Sequence, residues 1–144
     1  MLASPFCARL LVDYRDSPVG PYREHALVSL TWRGPHVFQM SVDLEASRIG
    51  GREIWGFPKT LENLAWKRRG KRLEFRRESQ KIYLRAVGPS FPLALAFWTV
   101  QSLNGRDVRV PGQIKARGRL AFRGRQIAVL VEDFWMKFNP THAL

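Results

Sequence analysis

Short alternations of apolar and polar positions, punctuated by glycine and proline, run through most of this chain. Ala8 to Tyr14 sets Leu10, Leu11 and Val12 among Arg9 and Asp13, a pattern that predicts a strand. Asp16 to Pro21 gathers Asp16, Ser17, Pro18, Gly20 and Pro21, whose prolines fix the backbone and remove amide donors, so an ordered loop is expected. Tyr22 to Trp32 resumes as a strand with Ala26, Val28 and Leu30 on one face. Gly34-Pro35 breaks it, and Val37 to Val42 is the expected hairpin partner. Asp43 to Ile54 is the helix candidate: Asp43 caps it, Ala46, Ile49 and Ile54 face the core, and Gly50-Gly51 weakens its second half. Pro58 then biases Phe57 toward extended geometry and projects Lys59 from a rigid corner.

Downstream the pattern is one of successive hairpins. Leu64-Ala65-Trp66 and Leu73-Glu74-Phe75 flank a basic turn at Gly70, and Ile82, Leu84 and Ala86 alternate with Lys81, Tyr83 and Arg85. Phe91 to Ser102 suits either a helix or a strand. Asn104-Gly105 and Pro111-Gly112 are turn signals, and Gln113 to Phe122 pairs with Gln126 to Val131 about Arg123-Gly124. The run Ile127 to Val131 is apolar on both faces and predicts a central strand. These elements predict a mainly β (α+β) protein, a closed antiparallel β-barrel or cone with a short helix before Lys59, because closure removes exposed edges.

At 144 residues the chain is the length of one domain, and with 45% apolar and 12% aromatic residues it can bury a core. The longest apolar run, Phe91 to Val100, is shorter than the ~20 residues a membrane helix needs. MLASPFCAR lacks a basic start and an extended apolar core, so no signal peptide and a cytoplasmic location are expected. The single cysteine, Cys7, allows no disulfide within the chain and fits a reducing compartment. A net charge of +12 favours anionic partners, with Lys67 to Arg72 the densest cluster. That cluster suits a solvated hairpin tip, and no helix-turn-helix, zinc-finger or RNP-like pattern supports specific nucleic-acid binding.

Candidate chemistry centres on Lys59, set behind Phe57-Pro58 and near Trp55. Removing an amine from water disfavours its ammonium form, and a neutral lysine amine condenses with ketones to give a Schiff base that serves as an electron sink. His25, His36 and His142 have no ligand-spaced partner, and Cys7 has no histidine nearby, so no metal is expected. Gly50-Gly51 and the glycines from Gly118 to Gly124 match neither a P-loop nor a dinucleotide fingerprint, so no cofactor is expected.

The segment GREIWGFPK, residues 51 to 59, resembles the lysine segment of the acetoacetate decarboxylase family, and DSPVGPYRE, residues 16 to 24, resembles that family's Ser-x-x-Gly-x-Tyr-x-Glu segment. The resemblance implies a closed β structure whose lysine faces the interior, with Lys59 as the Schiff-base nucleophile, Glu24 as a pocket carboxyl shuttling protons, and a homo-oligomeric assembly. Tyr22, Arg52, Trp55 and Phe57 are the candidate substrate-binding residues: Tyr22 would line the pocket or pack in the turn after Gly20-Pro21, and Arg52 with Glu53 would hold the helix end by ion pairing or orient a carboxylate. Two positions depart from the family's decarboxylases. Thr60 stands where they carry a second lysine, the adjacent cation credited with activating the amine in acetoacetate decarboxylase itself. Arg9 stands near a position where their preceding strand carries a pocket glutamate. The expected activity is thus a lyase-type reaction on a small anionic keto acid, by decarboxylation or by aldol or dehydratase chemistry. The alternative is a non-catalytic β-barrel binding a small carboxylate or lipid-like ligand against Trp55 and Phe57, and a weaker third is a nucleic-acid-associated protein using residues 67 to 72.

Overall fold

A computed structural model describes residues 7–15, 19–78 and 80–144, the side chains of 133–135 excepted. Asp16, Ser17 and Pro18 of the expected loop lie outside the described residues. The chain forms β1 (Cys7–Tyr14), β2 (Tyr22–Thr31), β3 (Gly34–Val42), α1 (Glu45–Trp55), β4 (Lys59–Leu61), β5 (Leu64–Arg69), β6 (Arg72–Arg77), β7 (Gln80–Leu103), β8 (Arg106–Arg123), β9 (Gln126–Phe138) and β10 (His142–Ala143). One sheet takes all ten strands, in the order β4-β3-β2-β1-β9-β8-β7-β6-β5, with β10 beside β8.

The expected closed antiparallel barrel needs two corrections. Among the described residues the ladder has two ends, β4 and β5, and no pairing joins them. A three-residue β4 is too short to carry a closing ladder, and β5 approaches β2 through the Arg23 side chain, which donates to the Leu64 carbonyl at 3.4 Å and lies 5.3 Å from the Trp66 ring. The sheet is also mixed, because β1 runs parallel to β9 and β3 parallel to β4. A hairpin dictates antiparallel pairing only between consecutive strands; β1 meets β9 from the far end of the chain, and α1 supplies the crossover that a parallel β3–β4 pair requires.

Two stretches read differently in space than in sequence. Phe91 to Ser102 is strand, the middle and end of a 24-residue β7. Pro111-Gly112 is no turn but lies within β8, opposite Trp98 and Phe97. Pro111 turns its carbonyl to the amide of Asn139, away from β7, so its missing N–H removes nothing from the β7 ladder. At Gly112 a Cβ would stand 2.7 Å from the Phe97 ring and 3.1 Å from Phe138, so this glycine makes room for aromatic packing rather than for a bend.

Alternation along β1 and β2 gives the sheet two buried faces. Leu11 joins Leu73, Phe75, Ile82, Leu84 and Leu130 on one. Ala26 joins Met40, Phe57, Val108 and Val110 on the other, with Trp55 and Phe138 packed against them. Residues 22, 24 and 26 of β2 therefore address the second face, while 23 and 25 address the first.

Candidate active site around Lys59

The helix preceding Lys59 is anchored differently from expectation. Leu44, not Asp43, stands at the N-cap, with no side-chain cap; the Asp43 carboxylate accepts the Arg23 amide of β2 at 2.7 Å instead. Ala46, Ile49 and Ile54, expected in the core, are exposed, and the buried helix positions are Ser47 and Gly51. The reason is the close approach of β4. A Cβ on Gly51 would lie 2.5 Å from both Cδ and Cε of Lys59, so only a face of small side chains lets the lysine stem pass beneath the helix. Gly56 ends α1 in the left-handed region at φ 72°, and the Phe57 amide returns to the Gly51 carbonyl at 3.1 Å. Lys59 is then delivered as the first residue of β4, in register with Met40.

The Lys59 side chain is buried, with its residue only 6% exposed. Its ammonium donates to Ser47 Oγ at 2.9 Å, lies 3.4 Å from Glu24 Oε1, and stands 5.7 Å from the Tyr22 ring centroid. Glu24, itself 5% exposed, accepts from the Tyr14 hydroxyl at 3.4 Å on its second oxygen. Tyr14 and Tyr22 stack at 4.2 Å. Burial, followed by the Glu24 charge, raises both phenols above their ordinary range, so both remain protonated donors at neutral pH.

These groups sit at the base of a cavity of about 780 Å³ whose walls include Ile54, Trp55, Phe57, Met136 and Phe138. The aromatic wall is continuous: Trp55 and Phe57 lie 5.4 Å and 5.0 Å from Phe138. Of the residues singled out in the sequence, Lys59, Glu24, Tyr22, Trp55 and Phe57 meet in this cavity. Arg52 does not; its Nε donates to the Lys59 carbonyl from outside, tying the helix end to β4. Thr60, on the opposite side of β4 from Lys59, donates to the Met40 carbonyl at 3.3 Å. Arg9 lies on the other face of the sheet, donating to His25 Nε2 at 2.6 Å. His25 is fully buried there, and burial together with Arg9 and Arg77 lowers its pKa to about 3.

Sequence reasoning missed Tyr14, Ser47, Gly51, Met136 and Phe138. Ser47 and Gly51 had a signal, since an i, i+4 pair of small residues marks a helix face that something approaches closely. Met136 and Phe138 had none, because the fold brings them to Lys59 from the far end of the chain. Among the described residues, no group of three or more His, Cys, Asp or Glu is placed to hold a metal, and no helix is long and apolar enough to cross a membrane.

No curated protein and no solved structure matches the chain. Residues 1–84 match the family model for acetoacetate decarboxylase (ADC), a span containing β1 to β6, the helix and the cavity-floor residues Tyr14, Tyr22, Glu24, Ser47 and Lys59. With more than half of its length matched, the chain belongs to the acetoacetate decarboxylase family.

Proposed function

We propose that the protein is a lyase that works through an imine on Lys59. The observation carrying this reading is a buried primary amine, on the floor of a large apolar cavity, 3.4 Å from a buried carboxylate. Glu24 accepts a proton from the ammonium, and the freed amine adds to a substrate carbonyl. Loss of water from the carbinolamine, protonated on oxygen by Glu24, gives the iminium. Breakage of the bond between the α- and β-carbons sends its electron pair into the iminium and leaves an enamine on Lys59. Carbon dioxide departs if the substrate is a β-keto acid, an aldehyde if it is a β-hydroxy ketone. Proton return to the enamine carbon, then hydrolysis, frees the amine. Ser47, bonded to Nζ, fixes the direction of attack, and the stacked tyrosines hold the Glu24 carboxylate in place.

Borohydride tests the proposal directly. Incubation with a panel of ketones and keto acids, reduction, and peptide mapping should find the secondary-amine adduct on Lys59. A folded protein that gives no such adduct across the panel would be a ligand-binding protein rather than a lyase.

A further inference from the structure

Resting on the Lys59 imine, we infer that the substrate is an uncharged carbonyl compound with an aromatic or extended apolar tail, cleaved by retro-aldol chemistry rather than decarboxylated. Size is the first argument. A cavity of about 780 Å³ lies within the roughly 300–1,000 Å³ that encloses drug-sized molecules, far more than a four-carbon keto acid fills. A small acid would share that space with water, which the imine must exclude to avoid premature hydrolysis. Composition is the second: Ile54, Trp55, Met136 and Phe138 form walls that a ring or alkyl chain would desolvate.

Charge is the third. Among the described residues lining the cavity, Lys137 is the one cation besides Lys59, and it is exposed. The arginines within the two motifs are committed elsewhere, Arg52 to the Lys59 carbonyl and Arg23 to the Leu64 carbonyl, and Arg9 is bonded to His25 on the other sheet face. A substrate carboxylate brought to the lysine would instead meet the Glu24 carboxylate, only 3.4 Å from Nζ. That carboxylate suits a retro-aldol step. Glu24 takes the proton of the β-hydroxyl, the carbon–carbon bond breaks toward the iminium as the C–O becomes C=O, and the aldehyde leaves. Glu24 then returns the same proton to the enamine carbon, so atoms and charge balance without another reactant.

The probes are 4-phenyl-2-butanone, acetone, acetoacetate and pyruvate for borohydride trapping, and 4-hydroxy-4-phenyl-2-butanone for turnover to benzaldehyde and acetone. Half-maximal labelling of Lys59 by 4-phenyl-2-butanone is expected at a concentration at least tenfold lower than for either keto acid, with benzaldehyde release lost in Lys59→Ala. Trp55→Ala, which opens the wall without touching the amine, should lower the preference for 4-phenyl-2-butanone over acetone several-fold. Keto acids labelling Lys59 as well as the aryl ketone, or a preference unchanged in Trp55→Ala, overturns the substrate assignment while leaving the imine standing. No Lys59 adduct with any probe removes the imine reading and this one with it.

A separate observation concerns the open edge of β7. β6 covers only Gln80 to Arg85 of that edge, and from Val87 to Ser102 the chain carries no charged residue despite its net +12. Because the Pro111 carbonyl points away from β7, its partner Trp98 turns its own backbone groups away from β8, as Val100 does, whose carbonyl accepts from His36 of β3 at 2.7 Å where β3 covers the end of this edge. Pairing with β8 is unbroken from Phe91 to Leu103, so Pro92, Ala94 and Ala96 share that orientation. The sequence Phe91-Pro92-Leu93-Ala94-Leu95-Ala96-Phe97 is nearly palindromic about Ala94. The geometry points to a second copy of this chain as the occupant, in an antiparallel β7–β7 pair centred on Ala94. Two-fold symmetry then sets Phe91 against Phe97 and Leu93 against Leu95, with reciprocal bonds at Ala94 and single ones from Ala96 to the Pro92 carbonyl. Copies charged to +12 repel elsewhere, and this uncharged strip is where they can meet.

Sedimentation of the purified chain should show a dimer. Ala94→Pro should render it monomeric with an unchanged circular dichroism spectrum, because the lost N–H faces the open edge and not β8. Pro92→Ala, which supplies the missing donors, should tighten association several-fold. A wild-type monomer at 100 μM, or a dimer indifferent to both substitutions, overturns the pairing.

Discussion

Gly51→Ala adds a single methyl group at the closest approach between helix and lysine, and two effects of that methyl oppose each other. In a helix interior, alanine is favoured over glycine by about 0.5–1 kcal/mol. Against this, the new Cβ would sit 2.5 Å from Cδ and Cε of Lys59 and 3.0 Å from Nζ. Relieving such overlaps costs on the order of 1–3 kcal/mol when the neighbours are fixed, less when one is a flexible stem. Lys59 is flexible, so it should yield: net stability changes by no more than about 1–2 kcal/mol, and the stem leaves the groove beneath α1. Its amine then loses Ser47 and Glu24, which lie 2.9 Å and 3.4 Å from it. A displacement of about 1 Å at a reacting group can cost ~100-fold in rate. Trapping of Lys59 by borohydride should therefore slow by about that factor in a protein that melts close to wild type. Gly50→Ala is the control, since its added Cβ meets nothing within 4 Å; it should gain about 0.5–1 kcal/mol and label within a few-fold of wild type. Labelling of Gly51→Ala at the wild-type rate would refute the claim that the glycine exists to seat the amine.

Three further outcomes follow from the same contacts. Glu24→Gln keeps the shape but removes the proton acceptor and leaves the Lys59 charge unpaired, so imine formation should slow by about 100-fold or more and stability should fall by about 3 kcal/mol; stopped-flow trapping at wild-type speed would exclude Glu24 as the relay. His25 is held neutral in the fold with a pKa of about 3, while the unfolded chain protonates it near 6.5, so its contribution is complete above pH 6.5 and is lost as pH falls toward 3. The slope approaches about 1.4 kcal/mol per pH unit, and urea melts at pH 7 and 4.5 should differ by less in His25→Gln than in wild type; equal differences would refute the assignment. Arg52→Ala cuts the tie from α1 to the Lys59 carbonyl, and should cost about 1–2 kcal/mol while leaving the preference among carbonyl probes unchanged; a change confined to acidic probes would instead make Arg52 a carboxylate ligand.

How far the sequence reaches into this site depends on the range of the contact. The β-rich architecture and most hairpins were legible because each is written locally, in a period of two and in turn residues at Gly70, Asn104-Gly105 and Gly124. Strand direction was not, since the parallel β1–β9 pair joins residues over a hundred positions apart and no local rule orients it. Pro111-Gly112 misled for a related reason: glycine and proline signal a turn only when the chain is considered alone, and here a phenylalanine from β7 and another from β9 occupy the space above Gly112. The helix is the most instructive case. Its apolar residues Ile49 and Ile54 suggested an inward face, yet both are exposed, and the inward face is built from Ser47 and Gly51. A helix covering an ordinary core offers large side chains to it; one that must admit a lysine stem offers almost none. Gly50-Gly51, which weakens the helix by propensity, is thus half explained by what passes underneath: Gly51 is obligatory and Gly50 is not. The local rule fails at the position where the cavity floor needs the space, and the residue that looked like a defect in the helix is what gives the amine its place.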